Sequence, residues 1–136
     1  NFLFPKPSHA NLLDCIQDVQ QWNALENYVD DDGVEWKASA TRTLYWKLPK
    51  VMVFSLGYKV PITLVDEFVP AVHKDSPHKD IGTYRLFATC VHDSGHYVAF
   101  TRHRGKWYLK NDELVTEMQV PMRAHHYLIF YKLLSN

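Results

Sequence analysis

Four stretches dominate the second half of the chain and decide what it can become. They are "TYRLFATCVH" ending at His92, "HYVAFTRH" beginning at His96, "KWYLK" after Arg104-Gly105, and "HHYLIFYKLL" near the C-terminus. All are rich in β-branched and aromatic residues, which suit a pleated surface better than a helix. The first three follow one another through turns of a few residues, and connections that short join antiparallel neighbours. An antiparallel sheet is therefore the frame into which the rest must fit.

Upstream the pattern changes. "SHANLLDCIQDVQQWNALENYV" predicts a helix, with Leu12, Leu13, Ile16 and Val19 near a 3.6-residue repeat and Ser8 or Asn11 as its cap. "DDDG" (residues 30–33) is a turn, and Asp30, Asp31 and Asp32 lack the spaced ligands of a calcium loop. "TRTLYW" (41–46), "VMVFSL" (51–56) and "YKVPITLV" (58–65) predict further strands, with Pro61 marking the last as an edge or an irregular start. Residues 70–80 form a polar loop. The reading is one α+β unit over residues 1–136, with a helical segment over 1–30 and a β-rich part over 31–136.

Hydrophobic residues make up 46% of the chain and aromatics 14%, enough for a packed core. Lys plus Arg and Asp plus Glu are both 15, so the formal net charge is zero. Nucleic acid and anionic membrane both call for a basic face, and neither is expected as a partner. No stretch approaches the ~20 apolar residues of a membrane span, and "NFLFPKPSHANLL" lacks the pattern of a signal peptide. Asn1 in place of methionine predicts a processed product or a piece cut from something longer. Cys15 and Cys90 form no CxxC pair, so neither a cysteine zinc site nor a disulfide framework is expected. A reducing compartment, cytoplasm or nucleus, fits that usage. Cys90, His92 and His96 do not make a metal set, because His96 lies past a turn and no fourth ligand follows. No cofactor is expected.

Antiparallel neighbours joined by a tight turn bring the start of one strand beside the end of the next. His96 opens one strand and Asn111 closes the following one, so their side chains can meet at one end of the sheet. An imidazole held by a carboxamide is fixed in one tautomer, and its other nitrogen is left to take a proton from a thiol. Gly95 removes bulk just before the histidine and lets a substrate backbone approach, with Tyr97 as a wall of the passage. Residue type alone reads the same positions as a surface histidine and a turn, so the order of motifs must decide. His125-His126 reads as an exposed pair with one ring packed inward, and Trp107 or Tyr108 as core.

That order is informative. "GHYVAF…GKWYLKNDELVTEM…AHHYLIFYKL" resembles the C-terminal part of ubiquitin-specific proteases, the papain-like cysteine deubiquitinases. "LLDCIQDVQQWNALE", "LPKVMVFSL" and "YRLFATCVHDSGHY" are similar to segments that precede it in that family. The resemblance implies that His96 is the general base and Asn111 orients its imidazole. Asp112 stands at the neighbouring position, where an acid assists polarisation or oxyanion support. Gly95 and Tyr97 would line the channel for the ubiquitin Gly-Gly tail, and His92 would sit in the loop above it. The strands would form the palm of a papain-like fold, with the active site at its edge facing a helical thumb.

The pattern also breaks. No Asn-x-x-Asn-x-Cys-like box supplies a nucleophile. Cys15 falls within an apolar helix and Cys90 within a core strand, both inert settings. The expectation is a deubiquitinase whose nucleophile lies on a Cys-bearing N-terminal portion absent from this chain, which alone would be inactive. The alternative is a non-catalytic ubiquitin-binding pseudoprotease module. "GVEWKAS" replaces a CxxC half-site for zinc, implying shortened or metal-free fingers, and Gly57-Tyr58 replaces the family's Arg-Phe. A ubiquitin-like protein therefore stands beside ubiquitin as a possible substrate.

Overall fold

The computed structural model describes residues 2–6, 9–57, 60–80 and 82–134. In chain order the elements are β1 (Phe2–Leu3), α1 (Leu12–Gln20), β2 (Asn23–Leu25), β3 (Tyr28–Val29), β4 (Glu35–Trp36), β5 (Ser39–Thr41), β6 (Val51–Leu56), β7 (Ile62–Thr63) and β8 (Glu67–Phe68). They continue with β9 (Tyr84–Asp93), β10 (His96–His103), β11 (Lys106–Asn111), β12 (Leu114–Glu117), β13 (Arg123–Ala124) and β14 (His126–Leu133). The main sheet runs β1-β6-β14-β9-β10-β11-β12, and β8 pairs with the start of β9. β1 lies parallel to β6, whereas the ladders from β6 to β12 are antiparallel. The fold is α+β, an antiparallel palm with one helix.

The helix is shorter than its sequence suggests. Asn11 caps it: its side chain accepts from Asp14 N at 2.9 Å, and Asp14 Oδ2 accepts from Asn11 N at 3.1 Å, a capping box. Ser8, the other candidate cap, lies outside the described residues. The helix buries Leu12, Cys15 and Ile16 and ends at Gln20 instead of running on to Val29. Continuing the repeat would bring Asn23, Glu26 and Asn27 onto the apolar face, so burial no longer drives the helix. Asn23 Nδ2 instead donates to Asp18 O (2.8 Å) and Gln21 O (3.0 Å), satisfying carbonyls at the helix end. Residues 23–41 form two small hairpin ladders, β2 with β5 and β3 with β4. The helical segment of 1–30 thus contains strands β2 and β3 as well.

Other segments also differ from the sequence pattern. "TRTLYW" contributes only Thr41 to a strand, and Tyr45 makes a single bridge to Val72. Among the described residues of the 58–65 segment a strand forms only at Ile62–Thr63, and Tyr58 and Lys59 lie outside the described residues. "GVEWKAS" builds β4, and Trp36 Nε1 donates to Asp30 Oδ2 at 3.0 Å. Asp30 Oδ1 accepts from Asp32 N and Val34 N, which makes the acidic run a side-chain-stabilised turn.

Two β-bulges keep one face of the sheet buried. Along β9 the buried positions are Tyr84 and Leu86, then Thr89 and Val91. Along β14 they are His126, then Ile129 and Tyr131. The register skips Phe87 between Leu86 and Ala88, and Tyr127 between His126 and Leu128. Without those extra residues, strict alternation would turn half of each strand away from the core. The core itself is aromatic at one end. Phe68 meets Tyr131 edge-on at 4.8 Å and stacks on Tyr84 at 5.7 Å. The Tyr84 and Tyr131 hydroxyls donate to Pro49 O and Val65 O, each at 2.6 Å. No helix among the described residues is long and apolar enough to cross a membrane.

Candidate functional site

The far end of the same face holds the site. β9 and β10 are joined by Ser94 and Gly95, with His96 paired to Asp93. Both turn residues have positive φ, 48° and 80°, as a two-residue hairpin twisted to match its strands requires. Arg104 and Gly105 repeat the device between β10 and β11, with φ of 50° and 80°. Two tight turns fix the register of three strands, and Val98 thereby falls opposite both Val91 and, by extension of the β10–β11 ladder, Asn111. His96 lies two residues from Val98 on the same face, one step from Asn111.

The two side chains meet. His96 Nε2 lies 2.7 Å from Asn111 Oδ1. An amide oxygen can only accept, so the proton of this bond sits on Nε2. Asp112 Oδ2 is 3.9 Å from the same nitrogen, beyond hydrogen-bond reach. Asp112 follows the strand at φ 52°, a left-handed geometry that Asp tolerates better than most residues. The imidazole remains half exposed and the Asp112 carboxylate mostly so, at 50% and 82%.

A cavity of about 710 Å³ opens beside the pair, lined at one end by Ser94, Gly95 and Asn111. Its walls are mainly apolar, from Val98 and Phe100 on the sheet to Met118, Pro121 and Ala124 on the segment that leads to β14. That mixture, apolar walls and a few polar groups at the mouth, is typical of a binding cleft. Gly95 lines the cleft. His92 also lines it, from within β9 instead of from a loop. Strand alternation turns Tyr97 away from His96. Its ring packs on His92 at 4.6 Å and on Tyr127 at 5.6 Å, which buttresses the strand from behind.

The cysteines stand apart. Burial, reinforced by Asp14 and Asp18, pushes the Cys15 thiol up to about 11, and burial also raises Cys90. Cys90 pairs with Ala99, three residues along the strand from the His96–Asp93 pair, so about 10 Å separates the two positions. An odd spacing also puts it on the other face. Neither thiol is poised to meet the His96 imidazole. Of the His125-His126 pair, His125 is exposed and His126 is the ring packed inward; sequence reasoning missed its buried partner beside the cleft, Thr89, whose side chain lies 2.8 Å away. The signal was a threonine and a histidine inside two apolar runs.

A family model described as ubiquitin carboxyl-terminal hydrolase matches residues 9–131. Human ubiquitin carboxyl-terminal hydrolase 3 is 25% identical over 147 residues, covering 90% of this chain and 28% of that protein. The probable ubiquitin carboxyl-terminal hydrolase 8 of Schizosaccharomyces pombe is 30% identical over 60 residues, 40% of this chain and 13% of that protein. The chain thus spans little more than a quarter of the human relative. Among solved structures, a chain of the SAGA Ubp8/Sgf11/Sus1/Sgf73 DUB module bound to ubiquitin aldehyde superposes with a TM-score of 0.76 at 20% identity. The match covers 98% of this chain and 35% of that one. At that identity the likeness carries the fold alone, a papain-like one. With the family model running from the helix to the last buried tyrosine of the sheet, the chain belongs to the ubiquitin carboxyl-terminal hydrolase family.

Proposed function

We propose that this chain carries the base and its orienting residue for a thiol-dependent deubiquitinase, which hydrolyses bonds after the C-terminal Gly-Gly of ubiquitin or a ubiquitin-like protein. The observation that carries the reading is the 2.7 Å contact between His96 Nε2 and Asn111 Oδ1 at the mouth of an apolar cleft. With Nε2 committed to the amide, Nδ1 is the nitrogen that takes the thiol proton and returns it to the departing amine. The thiolate forms an acyl-enzyme with the terminal glycine carbonyl, and water, deprotonated by the same nitrogen, releases it. Asp112 favours the imidazolium formed in between. Gly95 and His92 border the passage for the substrate tail, and Tyr97, in place of lining it, backs His92 from the other face; a tail of two glycines suits a narrow passage because it has no side chains.

The nucleophile in this reading belongs to a Cys-bearing N-terminal portion of the same protease, and this chain alone is inactive. The buried thiol of Cys15 and the half-buried thiol of Cys90, both held protonated by desolvation, support that division. The chemistry calls for no cofactor. Two free cysteines and a balanced charge fit a protein of the cytoplasm or nucleus that engages neither nucleic acid nor membrane.

A ubiquitin probe with a thiol-reactive warhead tests the reading on the native protein that carries this chain. The expected result is one labelled cysteine outside the present sequence, with labelling at least a hundredfold slower in His96→Ala. Labelling of Cys15 or Cys90 would overturn the division of residues. Ubiquitin binding with no labelled cysteine would make the protein a non-catalytic ubiquitin-binding module.

A further inference from the structure

One wall of the cleft is the segment from Pro121 to His125, and the residue that follows it is the one buried histidine. His126 is 2% exposed and Thr89 is 1% exposed, and their Nδ1 and Oγ1 atoms are 2.8 Å apart. Around them the core is apolar, with Val91 and Ile129 as immediate neighbours in the ladder. A valine and an aliphatic side chain would fill this space without desolvating an imidazole, whose Nε2 makes no well-formed hydrogen bond among the described residues and feels only a weak pull from the Pro121 and Met122 backbone. The pair therefore adds little net stability, and what it supplies is direction. A hydrogen bond fixes one register where apolar contacts tolerate a slip.

The place it fixes is consequential. His126 is the last paired residue before the β14 bulge, and the displaced Tyr127 packs against Tyr97, the chain neighbour of His96. On its other side, His92 N donates to His125 O at 3.0 Å and Leu64 N to Met122 O at 2.7 Å. Pro121, Ala124 and His125 line the cleft. We propose that His126, held by Thr89, is a positioning residue that pins the register of the 121–127 segment and so sets the width of the cleft beside His96 and Asn111. The inference rests on the deubiquitinase reading only for its effect on turnover; the effect on the wall stands without it.

The test uses the full-length protein with Thr89→Val, which keeps the shape and removes the hydroxyl, and Thr89→Ser, which keeps the hydroxyl. Backbone hydrogen exchange is measured at residues 122–127 and, as a control, across β6. Thr89→Val is expected to speed exchange in 122–127 at least tenfold and leave β6 unchanged, whereas Thr89→Ser matches the parent. With a fluorogenic C-terminal amide of ubiquitin, Thr89→Val is expected to raise KM severalfold and hold kcat within twofold, because the His96–Asn111 pair is untouched. If Thr89→Val does not fold, His126→Phe keeps a ring of similar size and carries the same expectations. Unchanged exchange at 122–127, equal acceleration in β6, failure of the serine to restore the wall, or a fall in kcat at constant KM would each overturn the proposal. Absence of hydrolysis in every protein, the parent included, would instead overturn the deubiquitinase reading and leave the exchange result to decide this one.

Discussion

Asn111 and Asp112, adjacent in the chain, stand at different distances from His96. At 2.7 Å the amide oxygen fixes which nitrogen of His96 holds the proton, and at 3.9 Å the carboxylate contributes only its field. Once Asn111 is shortened to alanine, however, a half-exposed ring can swing toward Asp112. Asn111→Ala is therefore expected to lower kcat about a hundredfold and Asp112→Ala less than tenfold, within the span of general-base effects. The double variant should lose more than the product of the two, because each residue partly covers for the other. Steady-state kinetics on the four proteins checks this, and strict multiplication of the two losses would show that Asp112 offers no substitute.

The hairpins that bring these residues together were legible because their turns announce themselves in glycine. Ser94-Gly95 and Arg104-Gly105 both sit in the left-handed region, and short turns set the register that places Asn111 near His96. Nothing packs within 4 Å of a β-carbon built on Gly95, so Gly95→Ala meets strain without a clash. We expect it to destabilise the protein by about 1 kcal/mol, the cost of a left-handed alanine, read as a lower urea midpoint at constant slope. That the inward ring, His126, meets Thr89 was illegible for the opposite reason. Reading alternation straight through "YRLFATCVH" and "HHYLIFYKLL" assigns half of each strand to the wrong face, since Phe87 and Tyr127 each add one residue that no residue type marks. The helix end escaped notice similarly, because Trp22, Leu25 and Val29 look apolar enough to continue it. The polar positions between them, Asn23 and Asn27, decide the matter.

Across the molecule, stability and the candidate site lie at opposite ends of one sheet, with the tyrosine-phenylalanine cluster near β8 and the His96 cleft at the β9–β10 turn. His126 links the two through a single titration. Burial lowers its folded value from the ordinary 6.5 to about 4, against a weaker upward pull from the backbone of Pro121 and Met122. The unfolded chain thus binds the proton more readily. The penalty for charging the buried ring is absent above pH 6.5 and grows as pH falls toward 4, to about 3 kcal/mol of lost stability in all. Thr89 does not titrate, and the titratable residues that flank His126 in the chain, Arg123, His125 and Tyr127, are exposed. Urea unfolding between pH 7 and pH 4.5 should show this loss in the parent and a flatter profile in His126→Phe; identical profiles would exclude the ring as the source. At the margin of the sheet, β12 has no partner on its outer side among the described residues, and Leu114 and Val115 are 70% and 63% exposed there. An open strand edge of that kind recruits other strands, so the chain on its own should self-associate as its concentration rises, beginning one turn away from Asn111.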